Sequence, residues 1–92
     1  MPQLLAEKEI LSGLKELKGW ARTGNEITKT FELKALVHAM GFVNSVALLS
    51  EKANHHPDVD IRWNRVTLVL STHSAGGLTV NDFNLAKSID GL

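Results

Sequence analysis

Pro57 divides this chain. A proline lacks a backbone N–H and clashes with a helical residue before it, so His56 is pushed out of the α region. The apolar residues Leu36, Val37, Met40, Val43, Val46, Ala47 and Leu49 predict a helix over residues 34–52, and that helix must stop short of Pro57. Past the proline the period changes. DIRWNRVTLVLST, residues 60–72, is rich in β-branched and apolar residues and exceeds the usual strand length. Asn64 sits between two short alternating runs, which predicts a tight hairpin near WNR. One long helix followed by a strand pair is therefore fixed at the middle of the chain.

The flanks supply the rest. Leu4, Leu5, Ile10, Leu11, Leu14 and Leu17 mark an amphipathic helix, ended near Gly19. Residues 20–22 read as a short strand and TGNE, 23–26, as a turn. EITKTFEL then alternates, with Ile27, Phe31 and Leu33 on one face. Lys29 falls on that apolar face and is expected to snorkel at a sheet edge. SAGGL, 74–78, reads as a loop. Thr79 is placed to cap a last helix, with Asp82 three residues on and Leu78 and Phe83 in staple positions. The order is α-β-β-α-β-β-α. It predicts an α+β domain over residues 1–92, a four-stranded antiparallel sheet with three helices packed on one face.

Composition excludes several functions. Ten basic and ten acidic side chains leave no positive surplus for binding a phosphate backbone, so no direct nucleic-acid partner is expected. No cysteine is present, which removes thiol nucleophiles, disulfides and zinc-thiolate sites. No apolar run approaches the ~20 residues of a membrane span, and the first residues lack a signal-peptide pattern. A cytoplasmic protein without a membrane partner is expected. With 92 residues the core is thin, and the wide apolar arc of the helix at 34–52 suggests self-association.

The chemistry concentrates in EKANHHPDVD, residues 51–60. Two of the four histidines lie there, and His73 follows in STHS. A histidine just past a helix end is ordinarily a solvated cation that favours the helix dipole. A metal site is a second reading, but adjacent side chains on extended backbone diverge, so His55 and His56 are poorly placed to share an ion. Acid/base catalysis is the third, because imidazole titrates near neutrality. Glu51 and Asp82 are candidates to orient the rings. His38 has no partner in sequence and is read as surface or interface. Trp20 and Trp63 are read as core or pocket wall.

The stretch EKANHHPDVDIRWNRVTLVLSTHSAGGLTVNDFNLA resembles the signature region of the pterin-4a-carbinolamine dehydratases. That family's pattern, E-K-x-x-H-H-P, then an aromatic and Asn, then T-H-x-x-x-G-L-[ST]-x-x-D, is met at Glu51, Lys52, His55, His56, Pro57, Trp63, Asn64, Thr72, His73, Gly77, Leu78, Thr79 and Asp82. The resemblance implies dehydration of 4a-hydroxytetrahydropterin to quinonoid dihydropterin without metal or cofactor. It implies His55 and His73 as the acid/base pair and His56 as a catalytic-site residue that mainly binds the pterin. Glu51, Asn54, Pro57, Trp63, Thr72 and Asp82 are implied as substrate-binding or supporting residues. It further implies a homodimer or homotetramer and a functional link to an aromatic amino acid hydroxylase. Two positions depart from the pattern. Asn54 stands where an aspartate often does, and Val59 replaces an aromatic of the vertebrate members, which implies a more open site. Two other functions stay in play: a dimerisation cofactor for a transcription factor, and an enzyme acting on another pterin, such as one of molybdopterin metabolism.

Overall fold

A computed structural model describes residues 2–92. The central helix α2 (Leu36–Ala53) ends as Pro57 requires. Its cap, Asn54, takes the left-handed conformation at φ 51°, and the His55 N–H bonds back to the Ser50 carbonyl at 3.1 Å. Asparagine tolerates this conformation better than most residues, so the chain reverses there without a glycine. β3 (Asp58–Arg62) follows at once and turns through Trp63 and Asn64 into β4 (Arg65–Leu70).

Before this unit come α1 (Glu7–Lys15), β1 (Ala21–Thr23) and β2 (Glu26–Glu32); after it come a 3₁₀ turn (His73–Ala75) and α3 (Val80–Asp90). The order is the expected α-β-β-α-β-β-α. The sheet is antiparallel throughout, in the order β1-β2-β4-β3. Ile27 pairs with Leu70 and Phe31 with Val66, so one face of the sheet carries Ile27, Val66, Leu68 and Leu70, all fully buried. The helices cover that face. On the opposite face the Thr30 and Thr67 hydroxyls bond each other at 2.8 Å. α3 brings Phe83, Leu85, Ala86 and Ile89 into the same core, and α1 adds Ile10. α1 sits so close to α3 that a Cβ on Gly13 would lie 2.7 Å from the Phe83 ring.

Three details differ from the sequence reading. α1 begins at Glu7 and not at Leu4, because Leu5 donates its N–H to the Leu78 carbonyl at 3.0 Å and stays extended. Lys29 does not snorkel at an edge. β2 is an inner strand, and the Lys29 ammonium bonds Asp90 at 2.9 Å while lying 4.7 Å from the centre of the Phe31 ring. The start of the 74–78 loop is wound into the 3₁₀ turn, closed by a bridge between Thr72 and Gly77. As the wide apolar arc of this helix leads one to expect, α2 leaves Leu36, Val37, Met40 and Leu48 exposed. No helix among the described residues is long and apolar enough to cross a membrane.

Candidate active site

The end of α2, the start of β3, the 3₁₀ turn and the first turn of α3 meet at one end of the sheet. β4 pairs with β3 from Asp58 onward, so the segments entering β3 and leaving β4 run side by side. This juxtaposition sets His55 and His56 against His73. The three imidazoles, with Asn54, Ser71, Thr72 and Ser74, line a depression of about 270 Å³.

The rings are held differently. His55 is half-buried, and its Nε2 lies 2.6 Å from Asp82 Oδ1. Asp82 is fully buried. Its other oxygen accepts from the Thr72 hydroxyl at 2.8 Å and from the Thr79 backbone N–H at 2.9 Å. A Thr hydroxyl has one proton, and Thr72 gives its own to Asp82. The 2.8 Å contact between the Thr72 and Thr79 hydroxyls therefore has Thr79 as donor. An ionised carboxylate only accepts, so His55 must donate from Nε2. In the neutral imidazole Nδ1 then carries the lone pair. His56 is exposed, and its Nε2 meets Glu51 Oε2 on the outer surface. Of the three rings, only His55 and His56 have side-chain hydrogen bonds within the described residues; His73 is exposed.

Asn54, His55, His56, Thr72 and His73 are thus brought together, with Asp82 directly behind His55 and Glu51 beside His56. Pro57 lines a neighbouring apolar groove of about 240 Å³ that also has Val46, His56 and Val59 on its walls. Trp63 is not brought to this site. It lies at the far end of β3, about 17 Å along the strand, and is 74% exposed. Its φ is 55°, unusual for so bulky a residue. The reason is its neighbour: Asn64 exchanges hydrogen bonds with Leu33 through its amide (2.9 Å) and its carbonyl (2.8 Å), which leaves the turn's positive φ to Trp63. Trp20, by contrast, is core, as expected, with its indole N–H on Asp90 at 3.0 Å. Ser71 and Ser74 escaped the sequence reading, although their position around His73 in STHS was the available signal. Among the described residues no cluster of three His, Asp or Glu side chains is arranged to hold a metal.

The family profile for pterin 4 alpha carbinolamine dehydratase matches residues 3–92. The chain belongs to this family. A relative from Roseiflexus castenholzii, provisionally named pterin-4-alpha-carbinolamine dehydratase, is 58% identical over 98% of this chain and 97% of its own length. A relative of the same provisional name from Nocardia farcinica is 48% identical over 98% of this chain and 95% of its own. Among solved structures, a transcriptional coactivator/pterin dehydratase from Brucella melitensis superposes with a TM-score of 0.91 at 36% identity, covering 95% of both chains. A pterin dehydratase-like protein, identified as a RuBisCO assembly factor in the alpha-carboxysome, shares the fold at a TM-score of 0.68 and 21% identity, over 80% of this chain and 88% of its own. In this dehydratase-family chain His55, His56, Thr72 and His73 of the sequence pattern line one depression, with Asp82 behind His55, while Trp63 and Asn64 stand at the far hairpin.

Proposed function

We propose that this chain is a hydro-lyase that eliminates water from a 4a-hydroxytetrahydropterin, giving quinonoid dihydropterin by histidine acid/base catalysis. The observation that carries the reading is the set of three imidazoles around one depression, one of them tied through Nε2 to a buried carboxylate. The reaction needs two proton transfers. The C4a–O bond breaks as a proton is delivered to the departing hydroxyl, which leaves as water. The N5 proton is removed while the N5 electron pair forms the new double bond to C4a. Each transfer assisted by a positioned group is worth about 10²- to 10⁴-fold.

His55 and His73 supply the two transfers in this proposal. His55 offers the lone pair of Nδ1, and Asp82 behind it stabilises the imidazolium that proton uptake creates. That makes His55 the base toward N5 and His73 the acid toward the hydroxyl. His56, held by Glu51, binds the ring. Asn54 and Thr72 shape the wall, and Pro57 with Val59 borders the mouth. Trp63 has no place in this scheme within one subunit. The product would be reduced again to the tetrahydropterin used by an aromatic amino acid hydroxylase, in the cytoplasm. A homodimer or homotetramer is proposed from the exposed apolar face of α2. The direct test generates the 4a-carbinolamine enzymatically and follows its decay by stopped-flow absorbance with and without this protein. Acceleration is expected; decay at the uncatalysed rate with folded protein present would remove the enzyme reading and leave an interaction module.

A further inference from the structure

A second cavity, of about 360 Å³, lies on the other side of His55, between the last turn of α2 and α3. Its polar walls are Lys52, Asn81, Asn84 and Ser88, and Leu49 and Leu85 supply apolar surface. Lys52 and His55 are the only titratable residues on it, so no carboxylate faces the cavity. Of the cavity's two titratable residues His55 is paired with Asp82, and no ion pair among the described residues engages Lys52. Asn81 and Asn84 take part in hydrogen bonds only through their backbone atoms. A cation in the last turn of a helix is accounted for by the helix dipole. Asn84 is exposed and Asn81 half-buried, so solvent can serve both amides, and with Lys52 they offer N–H donors around one positive charge.

We infer that this cavity is a subsite for the substituent on the pterin ring, and that it selects a negatively charged, acceptor-rich group such as a phosphate ester. The inference rests on the pterin reading of the histidine depression. His55 lines both spaces, so a ring reacting at His55 Nδ1 has the cavity as its neighbour. A lysine ammonium binds phosphate as a point charge, and asparagine amides complete the contact by donation. The apolar pair Leu49 and Leu85 faces the carbon chain that links the anion to the ring.

Two carbinolamines that differ only at C6, one with a hydroxymethyl group and one with its phosphate ester, provide the test. The parent protein is expected to favour the ester in kcat/KM. Lys52→Gln should reduce that preference about tenfold, the scale of one lost charge-assisted hydrogen bond, and Lys52→Arg should keep most of it. Calorimetric binding of the phosphorylated dihydropterin, which needs no turnover, should weaken in parallel in Lys52→Gln and in Asn84→Leu. Equal kcat/KM for the two substrates, or a ratio untouched by Lys52→Gln, would overturn the inference. So would inorganic phosphate inhibiting both substrates alike, which would assign a site for free anions. If neither substrate is turned over, the pterin reading itself fails and the subsite falls with it.

Discussion

The His55 imidazole donates from Nε2 to Asp82 Oδ1 at 2.6 Å, and Asp82 is fully buried at the first turn of α3. A residue that caps a helix thereby fixes the tautomer of a ring on another element. Asp82 combines both tasks because its two oxygens point different ways. Oδ2 takes the Thr79 N–H and the Thr72 hydroxyl, and Oδ1 is left for the imidazole.

Asp82→Asn separates the tasks. An asparagine carbonyl can still accept from the Thr79 N–H, so the cap survives in part. The amide cannot stabilise an imidazolium at His55. The variant should fold with a modestly lower Tm and lose about a hundredfold in kcat, the scale of one misplaced proton transfer. The pH profile of kcat should also move, which loss of folding alone would not produce. An Asp82→Asn protein with unchanged kcat would disconnect this carboxylate from the chemistry.

The three histidines should separate in kinetics. Alanine at His55 or His73 is expected to lower kcat more than it raises KM, because each is assigned a proton in the transition state. Alanine at His56 should mainly raise KM, since it removes binding shared by ground and transition states. The two changes at His55 and His73 together should leave only catalysis from binding and orientation. A His73→Ala protein with unaltered kcat and kcat/KM would end the two-imidazole mechanism.

Leu36, Val37, Met40 and Leu48 all stand exposed on α2, with Val37 at 72% and Leu48 at 73%. Such a face on one helix is expected to pair with copies of itself. Sedimentation at micromolar concentration should give a species larger than one chain, and Val37→Glu combined with Leu48→Lys should shift it toward the monomer. A parent protein that sediments only as a monomer at that concentration would contradict the proposed assembly.

What could be read from the sequence follows contact range. The Thr79–Asp82 cap spans three residues, so its spacing alone identified it, and the structure has it. Pro57 acts on its immediate neighbour, and α2 stops at Ala53 as that requires. The sequence makes Asp82 a candidate to orient the rings, but which ring it meets, 27 positions away, and its bond to Thr72, 10 positions away, are not encoded by periodicity. Lys29 was misread for the same reason: its partner Asp90 is 61 positions away. For Trp63 the hairpin was legible, but the direction in which its tip points depends on Asn64 being drawn to Leu33, 31 positions earlier.

Asp90 ties the end of α3 to the first half of the chain and gives stability a pH signature. Its carboxylate accepts from the Lys18 backbone N–H at 3.2 Å, the Trp20 indole at 3.0 Å and the Lys29 ammonium at 2.9 Å. Burial pushes this carboxyl up, and the bonds from Lys29, Trp20 and Lys18, with the Lys29 charge, outweigh it, so it sits below the ordinary carboxylate value. A group depressed on folding stabilises above its unfolded value of about 3.9, and that contribution is lost as pH falls through the lower folded value. Asp90→Asn removes it at every pH. At pH 7 the variant should be less stable by about 1 kcal/mol, discounted for partial exposure. For a domain of this size that is a fall in Tm of about 4–8 °C. Below about pH 4 the parent should converge on the variant as its own carboxyl takes up a proton. Urea unfolding of both proteins between about pH 2 and 7, at one fixed protein concentration, reads the difference directly. A gap that stays constant down to the lowest pH would mean that Asp90 contributes packing and neutral hydrogen bonds, and that the charge on its carboxylate holds nothing together.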